Sequence, residues 1–181
     1  MNTTPGHGDH RTETETPMCR SKRRSPTLWI ITALAVVAVA VGLHLFQPWR
    51  AFTTVRVDEA PPAAVAAERP LSGTFVSHGH ETSGSVAVLE SAFGARTLRL
   101  SDLHTSDGPA LHVWLSDQPV QGDGGNLDDG EHIDLGSLKG NEGNQNYAIP
   151  ASADLGRFST VTIWCERFSV SFGAAELDRA A

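Results

Sequence analysis

Cys165 is the residue of this chain that first suggests chemistry. The sequence contains two cysteines, Cys19 and Cys165. The predicted membrane topology places them on opposite sides of a bilayer, so they cannot form a disulfide with each other. A lone cysteine in an exported segment has three interpretations: a buried core thiol, an intermolecular disulfide, and a reactive thiol or cofactor ligand. Free cysteine is among the most buried residue types, so the residue type alone favours the core thiol and leaves the other two open.

The sequence around Cys165 could tune its reactivity. Apolar residues occupy odd positions over 161–165 and even positions over 168–172, so the apolar phase changes between the two runs. Because strand side chains alternate between faces, this change requires a bulge, a bend between sheets or a switch of the covered face. Arg167, two positions after Cys165 along the strand, is expected to share its face and favour the reactive thiolate. Trp164 is the other neighbour expected to shape the surroundings of the thiol.

Histidines form the second group of candidates. His78 and His80 would place two imidazoles on one face of an extended segment, and His112 is one of several scattered histidines that could add a third ligand. Gly79 and the polar residues after His80 favour an exposed loop instead, so no metal site is predicted. The sequence also lacks the G-x-S-x-G, H-E-x-x-H and C-x-x-C motifs and a glycine-rich phosphate loop, so no hydrolase is predicted.

A membrane anchor determines the compartment in which Cys165 would act. Residues 28–47 contain no Lys, Arg, Asp or Glu and are long enough, as a helix, to cross the ~30 Å hydrocarbon core. The sequence RSKRR precedes them, which predicts a cytoplasmic N-terminus and an extracytoplasmic C-terminal domain at the cell membrane. The alternative is a cleaved signal peptide, but the apolar run is long and no small-x-small cleavage site follows it.

The remaining sequence divides into a tail, a spacer and a domain. Residues 1–27 lack apolar periodicity and are expected to be a disordered cytoplasmic tail. Residues 48–70 contain a Pro-Pro pair among Ala and Glu, which is typical of a semi-rigid spacer. Residues 71–178 alternate short β-type runs with turn residues, which predicts an all-β fold, an antiparallel β-sandwich preceded by one transmembrane helix.

The alternation pattern also predicts the strands and the core of this domain. The expected strands cover residues 73–77, 85–90, 96–101, 110–116, 132–136, 147–150, 160–165 and 168–172. The expected bulky core members are Phe75, Phe93, Trp114, Tyr147, Phe158, Trp164, Phe168 and Phe172. Segments 121–130 and 139–146 are predicted to be loops at the ends of the sheets.

Four sequence blocks, taken together, resemble the electron-transfer DM-thirteen domain. They are GTFVSHGHETSGSVAVLE, LRLSDL with SDGPALHVWLS, LGSLKGNEGNQNYAIP and TVTIWCERFSVSFGAAEL, and they extend from about Leu71 to Leu177. The family is associated with extracytoplasmic electron transfer, and its hallmark cysteine corresponds to Cys165. The resemblance implies that this thiol acts in redox chemistry or ligates a prosthetic group such as haem. In the haem version, the second axial ligand would be His78, His80 or His112.

Two functions are therefore expected to compete. The first is a membrane-tethered, extracytoplasmic domain for electron transfer or redox chemistry through Cys165, with a redox partner protein at the cell surface. The second is a non-catalytic cell-surface binding module in which the cysteine is structural and the loops carry recognition. The net charge of −7 argues against a nucleic-acid partner. The sequence leaves open whether the protein is an enzyme and whether any cofactor binds.

Overall fold

The computed structural model describes residues 26–63 and 70–179. The expected tail falls almost entirely outside these described residues. The chain divides into two compact units between Val41 and Gly42, and all of the described strands belong to the second unit. The α-helix α1 (Pro26–Phe46) is followed by a 3-10 helix, Pro48–Phe52.

The helix α1 coincides with the predicted apolar segment. Its 21 residues include no acidic or basic side chain other than His44, and none of them is buried. A helix that is apolar on all sides and buries nothing is suited to a lipid environment. By length and composition α1 could cross a membrane, and a signal sequence near the N-terminus would have the same properties.

Within the described residues, eleven short strands form two sheets. They are β1 (Arg56–Asp58), β2 (Leu71–Thr74), β3 (Val76–Ser77), β4 (Ser83–Glu90), β5 (Arg96–His104), β6 (Leu111–Ser116), β7 (His132–Ser137), β8 (Glu142–Ile149), β9 (Thr160–Cys165), β10 (Val170–Glu176) and β11 (Asp178–Arg179). The six-stranded sheet has the order β1-β8-β5-β4-β2-β11, and the five-stranded sheet has the order β3-β10-β9-β6-β7. Among the described strands every neighbouring pair is antiparallel except β1 and β8. The predicted all-β antiparallel sandwich is confirmed.

The core lies between the two sheets and follows the period-2 pattern. Fully buried apolar residues at alternating positions of β5, β6 and β9 pack together, and they are Leu98, Leu100, Val113, Leu115, Val161, Ile163 and Cys165. Six of the eight expected bulky core residues are buried. The prediction is wrong for Phe93, which is 98% exposed in the turn after β4, and for Phe168, which is 52% exposed in the turn after β9.

The change of apolar phase after Cys165 marks a hairpin. Strands β9 and β10 pair antiparallel with Val170 opposite Cys165, and residues 166–169 form the turn between them. Ser169 adopts a φ of 48°, which helps the chain to reverse. The expectation of one strand continuing through this region is therefore wrong, although a bulge does follow between Ser171 and Gly173.

Two segments with polar or proline-rich sequences form strands where a spacer and a loop were expected, and a third strand was not predicted. Part of the expected spacer forms β1, whose Val57 lies opposite Gly143 of β8. Gly143 has a φ of +99° and leaves no room for a Cβ against the Val57 carbonyl, so glycine permits this close approach. The expected recognition loop at 139–146 is mostly the first half of β8, and β11 extends the sheet beyond Leu177.

Candidate functional site

Cys165 lies in the core at the end of β9. Its side chain is fully buried, and its Sγ donates a hydrogen bond to the Pro109 carbonyl at 3.3 Å. Leu111 of β6 and Val170 of β10 lie opposite it on the two neighbouring strands. The structure therefore holds the Cys165 side chain hydrogen-bonded and with no access to solvent.

An apolar cleft of about 490 Å³ lies next to this buried thiol. Pro109, which accepts the hydrogen bond from the thiol, lines the cleft, as does Val170, which pairs with Cys165. His80 also lines the cleft, and its ring packs on Phe172 with 3.8 Å between the ring centroids. Two residues that contact or pair with Cys165 thus line the cleft.

The two residues expected to shape the surroundings of the thiol lie away from it. Arg167 is exposed in the turn 166–169, so it does not share a strand face with Cys165. Within residues 26–63 and 70–179 its side chain has no hydrogen bond or ion pair. Trp164 is adjacent to Cys165 on β9, but its side chain lies on the outer face of the five-stranded sheet.

Trp164 belongs to a second buried cluster, the tryptophan layer, which consists of Trp114, Leu127, Trp164 and Ala174. The two indole rings stack with 5.0 Å between centroids, and the His132 ring stacks on Trp114 at 3.8 Å. Leu127 reaches this layer from loop 117–131, and its carbonyl accepts a hydrogen bond from Ser116 Oγ at 2.8 Å. The segment expected as an open recognition loop is therefore packed onto the sheet.

Loop 117–131 is also fixed at its ends by charged groups. The Arg157 guanidinium contacts Asp117 at 3.0 Å and Glu131 at 3.1 Å. Hydrogen bonds from Gln118 and Arg157 hold the pKa of the Asp117 carboxyl below its usual range. The loop is thus closed by one guanidinium that joins its two ends.

His78 lies on the outer side of the five-stranded sheet and is partly buried. Its Nδ1 hydrogen-bonds with Ser171 Oγ at 2.8 Å, and its Nε2 is buried without a partner among the described residues. Burial lowers the pKa of His78, and the Asp123 carboxylate opposes this effect. His80 faces the apolar cleft instead, so the two histidines do not form a pair.

His112 lies on β6, close to two carboxylates. Its Nδ1 is 2.9 Å from Asp134 Oδ2, and its Nε2 is 3.7 Å from Glu166 Oε2 and 3.4 Å from Ser137 Oγ. Asp134 and Glu166 were not among the residues predicted from the sequence. Only the strand pairing brings them close to His112 of β6. Strand β7 places Asp134 opposite Trp114 of β6, and strand β9, which also pairs with β6, ends at Cys165, one residue before Glu166.

These positions do not fit a haem that has Cys165 as an axial ligand. The thiol is buried between the sheets and donates to Pro109, whereas His78 and His112 lie on the outer face of the five-stranded sheet. His80 is at the same end of the fold as the thiol, but Pro109 and Val170 lie between the cleft and the sulfur. The four predicted ligands are not brought together.

Comparison with known proteins identifies the family. No curated protein and no solved structure gives a significant match to the chain. A family model described as "Electron transfer DM13" matches residues 74–177, which include β3 to β10 and Cys165. The extent of this match agrees with the resemblance drawn from the four sequence blocks. Because the match covers more than half of the chain, the protein belongs to the electron transfer DM13 family.

Proposed function

We propose that the protein is a membrane-tethered, extracytoplasmic electron-transfer domain in which Cys165 is the redox-active group. Membership of the DM13 family supports the electron-transfer role. The observation that carries the assignment to Cys165 is its position: it is a free cysteine, and Pro109 and Val170, its two neighbours, line an apolar cleft. The cleft offers a partner protein a docking place next to the thiol.

Cys165 requires a local opening before its sulfur can react. The segment around Pro109 and the turn 166–169 cover it, and they are joined by the hydrogen bond from Glu166 N to the Ala110 carbonyl. Ala110 and Ser169 have φ values of 58° and 48°, which are unfavourable for residues with a Cβ. Separating these two segments would break two hydrogen bonds and expose the sulfur to the cleft.

Exchange with a partner disulfide is the redox step that suits a single thiol. After Cys165 loses its proton to solvent, its thiolate attacks one sulfur of the partner disulfide, a mixed disulfide forms, and the other partner sulfur leaves as a thiolate. No second cysteine lies within the described ranges, so the next step comes from a second partner. A thiol of that partner attacks the Cys165 sulfur and releases the first partner as a dithiol. The second partner's other thiol then attacks its own sulfur of the new mixed disulfide, which closes that partner's disulfide and frees Cys165. The chain would act as a relay between partner proteins.

The proposed division of the chain is a cytoplasmic tail at 1–27, an anchor at 28–47, a spacer at 48–70 and the domain at 71–178. Apolar helix α1 and the basic run before it support an N-terminus inside the cell and a domain outside it. Protease added to intact spheroplasts should remove the domain and leave an epitope tag at the N-terminus intact. Protection of the domain would contradict this topology.

A binding module with a structural cysteine is the second candidate, and the complete burial of Cys165 favours it. The two functions are distinguished by trapping the thiol state in intact cells, in a Cys19→Ser background. The cells are quenched with acid, and the free thiols are alkylated after unfolding. A Cys165-dependent disulfide that responds to the external redox state supports the relay. A thiol that stays reduced under oxidising conditions supports the binding module.

A further inference from the structure

We propose that His112 and Glu166 bind a divalent transition-metal cation and that Asp134 orients His112 for this purpose. The three side chains come from β6, the turn after β9, and β7. Each offers one ligand atom, and these atoms lie within 4.8 Å of one another. This metal site is independent of Cys165 and goes beyond the proposed electron-transfer role.

The two ring nitrogens of His112 have different surroundings. At 2.9 Å from Asp134 Oδ2, Nδ1 is placed to donate its proton to that carboxylate. This tautomer leaves the lone pair of Nε2 facing Ser137 Oγ at 3.4 Å, a long hydrogen bond, and Glu166 Oε2 at 3.7 Å, which is too long for one. A cation with bonds of about 2.0–2.2 Å to nitrogen and oxygen spans such a distance. A carboxylate behind the ring is the usual partner of a metal-bound histidine.

The two carboxylates beside His112 differ from other carboxylates of the fold in their partners. Within the described part of the chain, neither Asp134 nor Glu166 forms an ion pair with a lysine or arginine; their one cationic partner would be His112 itself. Nearby carboxylates differ in this respect, because Asp107 pairs with Arg50 and Glu59 pairs with Lys139. The two carboxylates therefore have no lysine or arginine as a counter-charge, and a divalent cation would supply one.

The donor set indicates the class of metal. One imidazole and one carboxylate suit Zn²⁺ or Cu²⁺, whereas Ca²⁺ and Mg²⁺ prefer oxygen ligands alone. Within the first-row series, Cu²⁺ is expected to bind most tightly. The side chains of Asp134 and Glu166 are 40% and 46% exposed, so the remaining coordination positions are open to water.

The test is a titration of the full chain in mild detergent with Cu²⁺ alone. The background carries His7→Asn, His10→Asn and Cys19→Ser, and these three substitutions remove the strongest potential metal ligands of the N-terminal tail. We expect one Cu²⁺ per chain, with electron paramagnetic resonance showing coupling to one imidazole nitrogen. His112→Asn and Glu166→Gln should each abolish this signal. Asp134→Asn should keep one bound Cu²⁺ but weaken its affinity by roughly 10–100-fold, the usual effect of removing such a partner.

His104→Asn is the matched control, because His104 also contacts a carboxylate, Glu142, at 3.3 Å, but on the other sheet. It should bind Cu²⁺ as the background does. Unchanged Cu²⁺ binding in His112→Asn and Glu166→Gln would overturn the proposal, as would equal loss in the control. If His112→Asn does not fold, Glu166→Gln decides the question, because the Glu166 side chain is 46% exposed and its replacement leaves the core intact.

Discussion

Truncating Leu127 measures how firmly loop 117–131 is packed onto the tryptophan layer. Leu127 is fully buried although it lies in a loop, and it clusters with Trp114, Trp164 and Ala174. Leu127→Ala removes three carbon atoms, which at about 0.8 kcal/mol per buried carbon costs roughly 2.4 kcal/mol. The cavity that remains raises the expected loss in the free energy of unfolding to about 3 kcal/mol.

The assay is denaturant unfolding of the full chain in mild detergent, with near-ultraviolet circular dichroism as the probe of the stacked indoles. Leu127→Ala should lower both the unfolding free energy and the dichroism of the pair, because the side chain covers the rings. Phe93→Ala is the control: it removes a larger side chain that is 98% exposed, so its effect should stay within about 0.5 kcal/mol. Equal effects of the two variants, with unchanged dichroism, would refute the packing of the loop.

Two further predictions concern titrating groups. Tyr147 is the only tyrosine in the sequence, and burial raises its pKa to about 12, so ultraviolet titration of the folded protein should show no phenolate near the usual 10. Ionisation near 10 without unfolding would contradict its burial. Burial lowers the pKa of His78 in the folded state. As the pH falls below the usual histidine pKa of about 6.5, the unfolded state therefore binds more protons than the folded state, and the free energy of unfolding should fall. Chemical denaturation across this range should show a weaker pH dependence for His78→Asn than for wild type; equal slopes for the two would contradict the prediction.

The sheets could be predicted from the sequence wherever one face is apolar. Alternating residues of β5, β6 and β9 are fully buried, as their period of two requires. The first half of β8 was missed because its residues are polar. Gln145 is fully buried there, but it donates to the Gly140 carbonyl and accepts from Lys139 N and Tyr147 Oη, and a sequence does not show such partners.

The candidate site was predictable only in part, because it depends on strand pairing. The burial of Cys165 agrees with the general tendency of free cysteines to be buried. The position of Arg167 was not predictable, since a change of apolar phase does not distinguish a bulge from a hairpin. Asp134 and Glu166 approach His112 through the pairing of β6 with β7 and β9, and this register is invisible in the linear sequence.

The most direct test of the redox role of Cys165 compares two rates in the Cys19→Ser protein under native conditions. One is the rate at which a small thiol reagent modifies Cys165, and the other is the rate of global unfolding measured on the same sample. A redox-active Cys165 must be reached by a local opening of the segments at Pro109 and the turn 166–169, so modification should be faster than unfolding and should leave the tryptophan signal unchanged. Modification no faster than global unfolding would contradict the account and leave Cys165 as a structural core thiol.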